Sequence, residues 1–129
     1  MKYFICALDE IDIGIPAEKT ERIIPANRVQ NAVCETEAGT SYISLPLVLM
    51  QKNSAAPHGI VLKPSAAQAA QKTVLLTPRI EKEEEIPEED IHSLPESLAG
   101  LRGFFRGAHF TKENVILILN TEKLTESIL

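Results

Sequence analysis

The chain has 129 residues, 44% of them apolar and 24% charged, and a formal charge of −5. That size and balance fit one globular domain, or two very small subdomains sharing a core, able to bury roughly two thirds of its unfolded surface without staples. The 13 basic residues are scattered and outnumbered by 18 acidic ones, which excludes a nucleic-acid backbone or an anionic membrane as the expected partner, since both require clustered Lys and Arg.

The apolar runs 45–50 and 115–119 fall far short of the ~20 residues a bilayer span needs. The run 3–8 stops at Asp9 and Glu10 and lacks a small-residue cleavage site. A soluble, cytoplasmic protein is the expectation. Cys6 and Cys34 stand in apolar surroundings with no CxxC and no His at ligand spacing, and read as buried free thiols in a reducing compartment.

In chain order, short apolar runs separated by turn chemistry suit an all-β domain better than a helical one. Residues 3–8 (YFICAL) and 11–15 (IDIGI) flank Asp9 and Glu10 and predict a first hairpin. Pro16-Ala17-Glu18-Lys19 has the proline and charges of a tight turn or a single helical turn, and residues 20–24 (TERII) predict a strand running into Pro25. Residues 32–36 and 40–45 bracket Glu37-Ala38-Gly39 and predict a second hairpin, with Gly39 suited to a positive φ. Residues 45–52 have the apolar density of a strand, yet Pro46 fits the first turn of a helix, and a short helix is favoured.

Residues 59–63 and 72–80 predict two strands joined by a long hairpin loop through the alanine-rich 66–71. The acidic run 81–90 reads as a solvated turn segment. A glycine-flanked aromatic strand follows around Phe105, then an apolar strand over 115–119. Thr121, Glu122 and the i,i+4 pair Leu124 and Ile128 predict a closing helix over 121–129 with Thr121 as its cap. Ten such strands favour two small five-stranded barrels packed together, the first half ending near Leu45 and the second beginning near Gly59.

Motifs for chemistry are missing. His58, His92 and His109 lie far apart with no ligand spacing, so no metal site is expected. The sequence holds no P-loop, no Rossmann glycine pattern and no GxSxG elbow, and no pair of carboxylates can be assigned to a cleft. The expectation is a protein without catalytic residues or cofactor.

Tyr3-Phe4-Ile5-Cys6-Ala7-Leu8-Asp9-Glu10 and Gly14-Ile15-Pro16-Ala17-Glu18-Lys19 match an opening strand, acidic turn, second strand and following turn. Leu75-Leu76-Thr77-Pro78-Arg79-Ile80, Ile86-Pro87-Glu88-Glu89-Asp90-Ile91, Leu94-Pro95, Phe105-Arg106-Gly107 and the run Leu117-Ile118-Leu119-Asn120-Thr121-Glu122-Lys123-Leu124 complete the pattern. Together these resemble the CheW family of chemotaxis coupling proteins, over nearly the whole chain and most specifically after Lys72. The resemblance implies a mainly β fold: a single CheW-like domain over 1–129 with two five-stranded Src-homology-3-like barrel subdomains, approximately 16–58 and 59–120. The N-terminal strands and C-terminal helix would pack across them.

It also implies a non-catalytic adaptor that couples the cytoplasmic tip of a chemoreceptor to the regulatory domain of a CheA-type histidine kinase, through barrel edges and the groove between subdomains. The expected partner surface is made by the strands at 20–24 and 32–45, with Thr20, Arg22, Glu37, Ala38 and Gly39 as candidate partner-binding residues. Here the chain departs from the family. Its Thr36-Glu37-Ala38-Gly39 stands where the family has an Asn-Leu-Arg-Gly turn, and Thr20 and Arg22 stand where the family places an apolar residue and an acid. A base in place of an acid reverses any ion pair made there. Two alternatives remain open: a small-molecule sensor with a pocket between subdomains, and a structural array component that does not couple receptor to kinase.

Overall fold

The computed structural model describes residues 1–9, 11–64, 71–94 and 103–129. In chain order the elements are strands β1 (Lys2–Leu8) and β2 (Ile11–Pro16), a 3-10 turn (Ala17–Lys19), strands β3 (Thr20–Pro25), β4 (Cys34–Glu37) and β5 (Thr40–Ser44), and helix α1 (Leu45–Met50). Then follow β6 (His58–Leu62), β7 (Lys72–Thr77), β8 (Arg79–Glu85), a second 3-10 turn (Glu88–Asp90), β9 (Phe105–Phe110), β10 (Val115–Leu119) and helix α2 (Thr121–Ile128). The alanine-rich loop expected over 66–71 lies outside the described residues except for Gln71. No helix among the described residues is long and apolar enough to cross a membrane.

The fold is mainly β, with two five-stranded sheets ordered β8-β1-β2-β10-β9 and β3-β6-β7-β5-β4. Both predicted hairpins form: β1 with β2, and β4 with β5. Each sheet also has one parallel pair, β2 with β10 and β5 with β7. Neither sheet closes on itself through its edge strands, so the expected barrels are open in strand pairing.

The division between sheets also differs from the expected break at 58 and 59. β6 and β7 belong with β3–β5, so one continuous stretch from Thr20 to Thr77 builds the second sheet, while the first is assembled from both chain ends. The expected strand over 72–80 is in fact two, parted by Pro78: β7 lies in the second sheet and β8 in the first. Proline cannot donate to a ladder and so suits such a handover. Glu81–Glu85, expected as turn, are the body of β8. Only its pairing with β1 makes this exposed, charged segment a strand.

Side chains of β1, β6, β7 and β10 are buried on both faces. Cys6, Leu8, Ile13, Ile15, Ile43, Ile60, Leu75, Leu117, Leu119 and Leu124 form one cluster drawn from both sheets and α2. Alternate residues face outward from it. Tyr3, Ile5, Ile116 and Ile118 gather with Ile86 behind the first sheet, and Val61, Val74 and Leu76 gather with Ala26 and Ala56 behind the second. This explains why VLL and VILIL read as continuous apolar runs rather than alternating ones. Pro46 sits at the start of α1 as expected, and Ser44 caps that helix by accepting from the Leu47 N–H at 3.3 Å.

Because the sheets share one core, the protein is expected to unfold in a single urea transition. Leu75→Ala, at a fully buried site in that core, should lower stability by ~3 kcal/mol; two separated transitions would show that the sheets are independent. Burial pushes the Cys6 thiol up to about 12, with a lesser opposing effect from a hydrogen bond with Thr77. Since its folded pKa exceeds the unfolded thiol's value of about 8.5, Cys6 contributes stability that is complete below that pH and is lost as pH rises toward 12. At pH 8 a thiol reagent should modify half-buried Cys34 in the native protein and reach Cys6 only on unfolding.

Candidate functional site

The chain passes from the first sheet to the second through the 3-10 turn Ala17–Lys19, and helix α2 lies beside this crossover. Asn120 is the cap of α2, its side-chain oxygen accepting from the Lys123 N–H at 3.1 Å. Thr121, expected in that role, is instead buried at the first helical position. Leu124 and Ile128 turn inward to the shared core as the i,i+4 spacing predicts. Lys19 Nζ donates to Glu122 Oε1 at 3.0 Å across the junction. Two hollows of about 380 and 270 Å3 meet at this pair: one is bordered by Leu62, Lys63 and Thr125, the other by Met1, Arg106 and Leu119.

The wall of the second hollow is held by a polar network that ties exposed Arg106 and Glu88 to buried Tyr3. Arg106 donates to the Tyr3 hydroxyl at 2.6 Å and pairs through both terminal nitrogens with Glu88. This guanidinium, chiefly by its hydrogen bond, holds the Glu88 carboxyl below the usual carboxylate range. Burial raises Tyr3 against a smaller opposing effect of Arg106.

The structure separates the candidate partner-binding residues. Thr20 is buried and donates to the Pro16 carbonyl at 3.1 Å, fixing the crossover rather than facing outward. Arg22 is exposed on β3, beside a bulge that shifts the register between Thr20 and Arg22. Glu37 is exposed and accepts from Arg28 at 2.7 Å. Ala38 and Gly39, with φ of 51° and 81°, form the two-residue turn that closes the Glu37 and Thr40 pair. Positive φ at both positions matches the right-handed strand twist. β3 and β4 occupy opposite ends of the second sheet, so Thr20 and Arg22 belong to one edge and Glu37, Ala38 and Gly39 to the other.

The four sheet edges differ in how open they are. β8 carries the charged sequence RIEKEEE, which discourages pairing by another strand. β9 is partly covered, because His92 and Ala108 exchange two backbone hydrogen bonds of 2.8 Å. Gly107 permits that approach: a Cβ there would stand 2.6 Å from the His92 carbonyl oxygen. The fold thus brings the 92 and 109 regions together despite their separation in sequence, though no group of three or more metal-capable side chains occurs among the described residues. β4 is only four residues long. β3 remains, with six residues and Ile23 41% exposed.

No protein-family model matches the chain, and no curated protein does. Among solved structures, the scaffolding protein TtCheW from Thermoanaerobacter tengcongensis is similar with a TM-score of 0.69, over 92% of this chain and 83% of that one, at 15% sequence identity. The fold is CheW-like.

In this CheW-like chain, the junction hollows, the β3 edge and the β4–β5 turn are three separate surfaces. Sequence reasoning found pieces of the last two. It missed Lys19, Glu122 and the Tyr3, Arg106 and Glu88 network, whose partners lie up to 103 residues apart.

Arg106→Leu should destabilise the protein by about 1–2 kcal/mol, because it leaves the buried Tyr3 hydroxyl unpaired, with allowance for partial exposure of the guanidinium. Tyr3→Phe should cost less, since Arg106 keeps Glu88. Glu122→Gln should leave the urea midpoint unchanged, its ion pair being exposed on both sides. Urea denaturation of the three variants checks the order.

Proposed function

We infer that the chain is a non-catalytic scaffold of a chemotaxis assembly, working in the cytoplasm. In this reading it couples a CheA-type histidine kinase, through its regulatory domain, to the cytoplasmic tip of a chemoreceptor. The likeness in fold to a scaffolding protein carries the proposal. Surface features support it. The β3 edge offers a row of backbone groups and the apolar side chain of Ile23 to an extended partner. The junction hollows are of a size to receive side chains of a second partner from a different direction.

The exposed Arg22 on β3 gives this edge a positive charge where the resemblance leads one to expect an acid, so its partner is expected to present a carboxylate. Ala38 leaves the β4–β5 turn without a cationic side chain. The two surfaces are far apart in the strand order, and a change at one is expected to leave binding at the other intact.

Titration calorimetry with the regulatory domain of the cognate kinase should show a saturable complex. Arg22→Glu should weaken it by about 30-fold, the loss of a ~2 kcal/mol hot spot, while Ala38→Arg leaves it unchanged. Absence of any complex at high micromolar concentration overturns the adaptor reading. A complex with kinase but none with a receptor tip would mark the chain as an array component that does not couple.

A further inference from the structure

The larger junction hollow, of about 380 Å3, lies between the crossover at Glu18 and Lys19, the end of β6, the start of β7 and the first turn of α2. That volume falls in the range of small-molecule sites. Among the described residues its wall carries two lysines and two glutamates. Lys19 and Glu122 neutralise each other across 3.0 Å. Lys63 and Glu18 have no ion-pair partner among the described residues, and the Lys63 N–H donates to the Lys19 carbonyl at 2.9 Å, which sets Lys63 beside the crossover. The hollow thus holds one unpaired cation and one unpaired anion, with no net charge left over.

Two hydroxyls complete the lining. Thr121 and Thr73 are 6% and 7% exposed, and both border the hollow. Neither hydroxyl has a hydrogen-bond partner among the described residues, and neither is among the polar atoms sealed from solvent. A buried side chain in the wall of a hollow, whose unpaired hydroxyl still meets water, presents that hydroxyl to the hollow. Thr121 also opens α2, where the Asn120 cap takes the Lys123 N–H and leaves those of Thr121 and Glu122 without a helical carbonyl. Hydroxyl, backbone donors and Lys63 together suit a carboxylate. Glu18 suits an ammonium, and Leu62 and Pro64 supply apolar wall. A phosphate or a dicarboxylate is disfavoured, because the two glutamates cancel both lysines.

We propose that this hollow binds a free amino acid, its carboxylate held by the Thr121 hydroxyl and Lys63, its ammonium by Glu18, and a small aliphatic side chain against Leu62 and Pro64. The inference rests on the hollow alone. It does not depend on the chemotaxis reading, and either can fail without the other.

The probe is L-valine, titrated to millimolar concentration into the full, isotopically labelled chain and followed by two-dimensional NMR. Saturable shifts confined to 18–19, 62–64, 73 and 121–125 are expected. N-acetyl-L-valine lacks the ammonium and L-valinamide the carboxylate, and each should bind about tenfold more weakly, the loss of one charge-assisted contact. Thr121→Val, which removes the hydroxyl at nearly constant shape, should weaken valine about fivefold. Lys63→Met, at an exposed position, should leave the spectrum of the free protein in place and abolish the preference for valine over valinamide. Shifts located elsewhere, no saturation, equal binding of either derivative, or an unchanged preference in Lys63→Met would each overturn the proposal.

Discussion

Burial of β1, β6, β7 and β10 on both faces is the constraint from which the rest of the fold follows. A strand buried on two sides must have a sheet neighbour at each edge and an apolar layer above and below, because no water remains to serve its backbone. Two sheets of five strands cannot each provide that alone. They meet through the shared cluster of Ile13, Ile15, Ile43, Ile60, Leu75 and Leu117, and each keeps a smaller cluster on its far side. Function is thereby pushed to what is left over: strand edges, the turn between β4 and β5, and the junction beside α2.

The doubly buried strands were the most legible part of the sequence, because YFICAL, VLL and VILIL are apolar at every step and end at the polar residues Asp9, Thr77 and Asn120. The hairpins were legible for a different reason: Asp9 and Gly39 are turn residues, and both take positive φ where two strands must turn back, while the positive φ of Ala38 had no sequence signal. β8 was hidden because nothing in RIEKEEE needs burial, and only the free edge of β1 turns it into a strand. The allocation of strands to sheets was hidden more deeply. Gly14 pairs with Ile118 and Thr40 with Lys72, and no local pattern tells which distant strand a parallel partner will be.

The candidate site was less legible than the fold. Sequence reasoning reached Arg22, Glu37, Ala38 and Gly39 through a resemblance to a turn and a strand, and the structure places them on opposite edges. Thr20 was reached by the same resemblance, and the structure buries it, with its hydroxyl donating to the Pro16 carbonyl. Arg28 and Gln30, in a segment that looks like a plain connection, turned out to be anchored on Tyr42, which only the folded sheet brings beneath them.

The second sheet is one unbroken length of chain, whereas the first needs both ends. A ribosome that has released residue 77 has delivered every strand of the second sheet, yet β2 still lacks β10, the last of the ten strands in chain order. The nascent protein therefore carries the β1–β2 hairpin with one apolar edge bare until β10 (Val115–Leu119) has been made. Pairing between strands so distant is slow to nucleate and open to strand exchange with a neighbouring chain. The charged β8, which emerges directly after Pro78 and covers the other edge of β1, serves as an early guard for a half-built sheet.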